Sequence, residues 1–283
     1  MTEGLVRSVL FMPASNPRAV DKARTLPCDV AVLDLEDAVA PDMKAEARAA
    51  AVEAVRAGAF GPRLAVRINA LDSPWGSDDL DALAGSQVGI IVAPKVEDAR
   101  DVIELGQRLP AGAALWAMIE TPRALFNLDA LCGVGGALDA LMFGTNDLTT
   151  ALGCRPAADR EPLKPWLAAT VAAARAHGLT VIDGVFNRLD DPDGLAAECA
   201  QGRLYGFDGK SLIHPGQLAV ANTTFSPTDD EVAHAMALVA AFADPAAAGR
   251  GAIRVGGSMV ERLHLTAAEA LLRRHDACSH TPD

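Results

Sequence analysis

Residues 30–37 read Val-Ala-Val-Leu-Asp-Leu-Glu-Asp, an apolar run that breaks abruptly into acids. Working outward from it, the same unit recurs along the chain. Apolar runs lie at 8–14, 30–35, 64–68, 88–93, 114–119, 138–143, 180–182 and 204–207. Helical candidates fall between them, at 17–26, 42–59, 78–83, 96–109, 163–178 and 192–201. Continuous apolar runs, as opposed to strict alternation, suit parallel strands covered on both faces. An open dinucleotide-binding sheet should carry GxGxxG after its first strand, and residues 10–17 contain no glycine. Eight units without that loop predict a closed (β/α)8 TIM barrel. The expected barrel domain spans 1–245, closed by a helix at 228–243. Residues 246–283 are expected to form a helical lid or subunit-exchange segment. In that region a glycine- and alanine-rich hinge at 244–257 precedes a short helix at 266–274, and a frayed tail follows from 276.

Composition narrows the class. The chain has 283 residues, 50% of them hydrophobic but only 4% aromatic, so its core must be built from Ala, Val, Leu and Ile. A formal net charge of -12 argues against nonspecific nucleic-acid binding, which needs basic patches to displace counterions. Residues 1–7 do not read as a signal peptide, and no apolar stretch is long enough to span a bilayer. The cysteines at 28, 132, 154, 199 and 278 are scattered without a CxxC pair, which points to reduced, mostly buried thiols. These features together point to a cytoplasmic enzyme.

Barrel enzymes assemble their sites at the C-terminal ends of the strands. The residues there are Glu36 and Asp37, Arg67 and Asn69, Lys95, Glu120, Asn146 and Asp147, and Asp183. So many carboxylates at one mouth would repel one another unless a cation sat among them. Glu120 and Asp147 end adjacent strands, and magnesium typically takes one or two protein carboxylates. They are the expected metal ligands; helix capping is the other role open to each. Arg67 interrupts an apolar run, so its guanidinium needs an anionic partner: a substrate carboxylate, or simply Glu36 or Asp37. Nearby acids would keep Lys95 protonated, which disfavours it as a nucleophile. His214, in Ile-His-Pro, is a ligand-loop or capping residue.

Several segments carry a resemblance in their order and spacing. They are Leu-Phe-Met-Pro-Ala-Ser-Asn-Pro-Arg at 10–18, Val-Leu-Asp-Leu-Glu-Asp-Ala-Val at 32–39, Val-Arg-Ile-Asn at 66–69, and Pro-Lys at 94–95. Further on come Ile-Glu-Thr-Pro at 119–122, Phe-Gly-Thr-Asn-Asp-Leu at 143–148, Ile-Asp-Gly-Val-Phe at 182–186, and Gly-Phe-Asp-Gly-Lys-Ser-Leu-Ile-His-Pro at 206–215. The chain resembles the citrate lyase β-subunit-like family of the HpcH/HpaI aldolase group over nearly its whole length. The resemblance implies a metal-dependent carbon–carbon lyase acting on 3-hydroxy-3-carboxyacyl-CoA esters such as malyl-, citramalyl- or citryl-CoA. By the same resemblance Glu120 and Asp147 hold magnesium, with manganese as the other candidate. Arg67 holds the oxo acid, and Glu36 and Asp37 surround the metal waters. Arg18 and Lys22 contact the CoA phosphates, while Lys210 and His214 belong to the wall beside the thioester. Glu261 stands where relatives carry an Asp that reaches a neighbouring subunit's site as acid/base, which implies a homotrimer or hexamer. Asn146 stands where many relatives carry Glu, a difference that bears on substrate choice. Other readings of the resemblance are an aldolase using free oxo acids, a citrate lyase β-subunit acting on an acyl carrier protein thioester, and a non-catalytic CoA-binding homologue.

Overall fold

The computed structural model of the chain describes residues 4–244 and 249–279. Its first compact unit, Met1–Thr223, is an eight-stranded closed parallel barrel. The strands are β1 (Ser8–Pro13), β2 (Val30–Asp34), β3 (Arg63–Arg67), β4 (Ile90–Ala93), β5 (Ala114–Ile119), β6 (Leu138–Phe143), β7 (Thr180–Asp183) and β8 (Gly209–Leu212). Each pairs with its successor, and β8 returns to β1 with Lys210 opposite Ser8. Helices follow the strands and cover them, so the expected TIM barrel is the fold.

Side chains alternate between the barrel interior and the helix layer. Val30 and Val32 of β2, Ala65 of β3, Trp116 and Met118 of β5, and Ile182 of β7 belong to one buried cluster inside the barrel. Two residues further along the same phase stand Asp34, Arg67 and Glu120. This phase, more than the apolar run itself, sends them to the C-terminal mouth.

The eighth strand is Gly209–Leu212, not 204–207. Leu204 is 84% exposed and belongs to the last turn of the helix Pro192–Tyr205. Gly206, in the left-handed region at φ 99°, stops that helix by donating to the carbonyls of Gly202 and Arg203. The true strand has no apolar run because its positions are constrained differently. A Cβ on Gly209 would collide with the Val6 carbonyl, and Lys210 is a buried ion-pair residue.

The second unit is Thr224–Asp283, so the expected boundary at 245 falls inside it. The helix Asp229–Ala243 belongs to this unit, because Ala235 and Leu238 pack with Val260 and Ala268 in a small core of their own. The region expected as a hinge contains β9 (Ala252–Val255), paired antiparallel with β10 (Ser258–Glu261). Gly256 and Gly257 turn the hairpin at φ 55° and 87°, the pair of positive φ values that a tight type I′ turn demands. The last helix runs Arg262–Ser279, longer at both ends than the sequence suggests. Residues 245–248 of the expected hinge and 280–283 of the expected tail lie outside the described residues. Among the described residues no helix is long and apolar enough to cross a membrane. Cys28, Cys132 and Cys199 are buried and Cys154 and Cys278 half-buried, all as free thiols.

Candidate active site

A cavity of about 340 Å³ opens at the C-terminal mouth of the barrel, and Asp34, Asp37, Arg67, Glu120, Asn146 and Asp147 all line it. Phe11, Met118, Phe143 and Val185 supply its apolar wall. A larger cleft of about 680 Å³ lies at the opposite end of the barrel, but it gathers no comparable set of charges.

Glu120 directly follows β5 and is 2% exposed. Its Oε1 accepts the backbone N–H of Lys95 at 2.8 Å. Lys95 directs that N–H inward by adopting φ 53°, a left-handed conformation that costs a non-glycine residue energy and recurs at functional sites. The other oxygen, Oε2, is buried with no hydrogen-bond partner among the described residues. Gly144, just past β6, makes room for this carboxylate: a Cβ there would sit 2.5 Å from Oε2 and overlap the Glu120 Cβ. Capping does not account for Glu120, because Thr121 caps the helix Pro122–Phe126 by accepting from the Ala124 N–H. Asp147 lies in the first turn of the helix Thr145–Ala151 and is half-buried.

Arg67 is the cation of the site. Its Nε and Nη2 each donate to an oxygen of Asp34 at 2.6 Å, a bidentate fork. Its Nη1 lies 2.9 Å from Glu36 Oε2, an ion pair whose angles do not make a hydrogen bond, and 3.5 Å from Asp37. Phe11 stacks beneath the guanidinium at 5.1 Å. Burial opposes the charge of Arg67, but Asp34, Glu36 and Asp37 outweigh it and raise its pKa. Asp34 was not among the strand-end candidates, although the phase of β2 (Val30, Val32, then 34) marks it as inward. Lys44 ties the loop after β2 from behind, donating to the carbonyls of Leu35 and Glu36 and to Asn69 Oδ1. Asn69 is therefore a scaffold residue, held also by Asp79.

Five carboxylates at this mouth (Asp34, Glu36, Asp37, Glu120 and Asp147) face few cations. Burial raises the Glu120 carboxyl to about 8, with Glu36 and Asp147 adding to the effect. Glu36 is pushed up to about 7, first by burial, with Arg67 opposing and Asp37 reinforcing. Burial alone would lower the Lys95 ammonium, but Glu36, Glu120, Asp147 and Asp37 reverse this and raise its pKa. Among the described residues no group of three or more His, Cys, Asp or Glu side chains forms a ready-made metal cage. Two carboxylates, one with an orphaned buried oxygen and both amid excess negative charge, instead fit a hard cation that keeps most of its positions for water and substrate.

Other expected site residues lie elsewhere. Lys210 is fully buried, with Nζ on Asp183 at 3.0 Å, Glu198 at 2.7 Å and the Gly184 carbonyl at 2.6 Å. Asp183 is fully buried too and also takes Arg160 at 2.7 Å. Both face the layer between sheet and helices, so Lys210 is closed off from solvent and neither residue lines the mouth cavity. His214 is exposed and caps the turn Pro215–Gln217, accepting the Gly216 N–H at 3.0 Å; its neighbours Ser211 and Ile213 line the cavity. Arg18 and Lys22 are exposed one turn apart on the helix Pro17–Ala23, where they remain open to solvent. Glu261 ends β10 in the second unit, exposed, its N–H donated to His264 Nδ1 at 2.9 Å.

Comparison with known proteins adds four findings. The family profile described as HpcH/HpaI aldolase/citrate lyase matches residues 7–215. A "(3S)-malyl-CoA thioesterase" of Cereibacter sphaeroides is 43% identical over 96% of this chain and 95% of its own length. A "L-malyl-CoA/beta-methylmalyl-CoA lyase" of the same organism is 33% identical over the same shares. Among solved structures, CitE of Mycobacterium tuberculosis in complex with magnesium, acetoacetate and coenzyme A superposes with a TM-score of 0.80 at 33% identity, covering 95% of this chain and 97% of that one.

Proposed function

This chain belongs to the HpcH/HpaI aldolase/citrate lyase family of enzymes, and from that premise we propose that it cleaves or forms a carbon–carbon bond in a 3-hydroxy-3-carboxyacyl-CoA such as malyl-, citramalyl- or citryl-CoA. The observation that carries this reading is the pairing of Glu120 and Asp147 on one cavity with Arg67, Glu120 keeping a buried oxygen that has no partner among the described residues. That constellation suits a small hydroxy acid or oxo acid held through a divalent cation.

Glu120 and Asp147 would hold the magnesium ion, with Glu36 and Asp37 beside them at the mouth. When bound, the ion would supply a Lewis acid that lowers the pKa of the substrate hydroxyl. Asp34 fixes the Arg67 fork in one orientation, and the guanidinium, which lines the cavity, meets the substrate carboxylate and offsets charge developing there. As a carboxylate of the mouth, the exposed Asp37, takes the hydroxyl proton, the oxygen becomes a carbonyl and the adjacent carbon–carbon bond breaks. The electron pair passes to the acyl-CoA as an enolate. Glu261 of a neighbouring subunit protonates that carbon, or deprotonates it in the condensation direction. Arg18 and Lys22, four residues apart on one helical face, meet the CoA phosphates outside the cavity. The shared lid makes the working enzyme a homo-oligomer, a trimer or hexamer.

A second reading is favoured by the 43%-identical relatives, whose name is (3S)-malyl-CoA thioesterase. The grip on the hydroxy acid would be the same, but water would break the carbon–sulfur bond. One assay separates the two: malyl-, citramalyl- and citryl-CoA with magnesium, analysed for products. Lyase activity yields an oxo acid and an acyl-CoA, with no free thiol; hydrolysis yields the hydroxy acid and free CoA. Glu120→Ala should lose either activity, and full turnover by that variant would remove the metal assignment.

A further inference from the structure

The site cavity ends at a wall of Thr145, Asn146 and Val185, and the same three residues line a second chamber of about 620 Å³. Two amides fasten that wall. Asn187 Nδ2 donates to Asn146 Oδ1 at 2.7 Å, and Asn146 Nδ2 donates back to Asn187 Oδ1 at 3.3 Å. Asn146 lies in the first turn after β6, and Asn187 lies on the segment after β7. The pair therefore bridges two neighbouring loops of the mouth. Both side chains are exposed, so water can replace either bond, and the bridge can part without stranding a buried polar group.

The chemistry beyond the wall differs from that inside it. Arg155, Arg160 and Arg188 line the second chamber, against Glu198. Arg160 is committed to Asp183 and Glu198, and Arg188 to Asp191. Arg155 has no ion pair among the described residues. On the near side Asp147 stands next to Asn146, in a mouth already crowded with acids. A ligand that passed the wall would thus leave an acidic compartment and reach a guanidinium.

Resting on the oxo-acid reading above, we propose that the Asn146–Asn187 pair sets the length of the acid half that the site accepts. Intact, it confines the site to a short 2-oxo acid. Parted, it admits a dicarboxylic 2-oxo acid whose second carboxylate meets Arg155.

The test uses Asn187→Ala, a change on an exposed loop residue that does not line the site cavity, with a melting curve to show that the fold is kept. Glyoxylate, pyruvate, oxaloacetate and 2-oxoglutarate are titrated calorimetrically, with excess magnesium, into the native protein and the variant. The affinity for oxaloacetate relative to glyoxylate should rise about tenfold in the variant, the scale on which a pocket discriminates by size. Adding Arg155→Ala should cancel the gain for oxaloacetate while leaving pyruvate binding as it was. An unchanged ratio in Asn187→Ala, or a gain that survives loss of Arg155, overturns the proposal. If the oxo acids bind without any length effect, only the wall falls. If none binds to the native protein, the wall and the oxo-acid reading fall together.

Discussion

Replacing Gly144 by alanine tests the candidate metal site without touching a charged group. The added methyl would stand 2.5 Å from Glu120 Oε2, where ordinary contact is 3.4–4 Å, and would overlap the Glu120 Cβ as well. Relief requires a displacement of about 1 Å, and on the Glu120 side the Cβ belongs to a residue pinned by its own backbone and by the Lys95 N–H. Overpacking of this kind costs about 1–3 kcal/mol of stability. Misplacement of a ligand by about 1 Å costs on the order of a hundredfold in rate. The expected outcome is a folded, modestly destabilised protein whose magnesium affinity, measured calorimetrically, and whose kcat on the preferred thioester both fall sharply. Native magnesium affinity together with kcat within a few-fold of the native enzyme would show that the Glu120 carboxylate does not work where the structure puts it.

Arg67→Ala would leave Asp34, 1% exposed, without its bidentate partner, so urea denaturation should show a loss of about 3–5 kcal/mol; a variant of native stability would mean that the fork is not formed. Lys210→Met strands Asp183 and Glu198 on Arg160 alone and should cost a similar ~3–5 kcal/mol while CoA-thioester affinity is retained. Lost affinity at native stability would return Lys210 to the binding surface. The pH dependence follows from Glu36, raised to about 7, and Glu120, raised to about 8, against an ordinary 4.5. The folded chain keeps these protons after the unfolded chain has released them, so the stability these two acids contribute is fully present below 4.5 and is lost as pH rises through about 8. Melting temperature in EDTA should fall across that window, and magnesium should flatten the fall. A rise with pH in EDTA would contradict the burial of these two acids.

The recurrence of an apolar run followed by a helix is legible in the sequence alone, because burying a parallel strand on both faces demands continuous hydrophobicity. It correctly placed seven strands and put Glu120 and Asp147 at the ends of two neighbours. Strand β8 escaped notice because Gly209 and Lys210 are selected by a close backbone approach and a buried ion pair, neither of which looks hydrophobic in sequence.

What the runs do not report is which way a strand-end side chain faces. Asp183 and Glu120 look alike in sequence, yet one enters the helix layer beside Lys210 and Arg160, and the other enters the mouth. Asp34 became the partner of Arg67 only because the β2–β3 register sets the two residues side by side. The pairing of Asn146 with Asn187 likewise depends on two loops meeting. Chain order alone thus determined the barrel, its strand ends and the acids carried there. Barrel closure decided their partners, because contacts between residues tens of positions apart exist only once strand phase and register have brought them together.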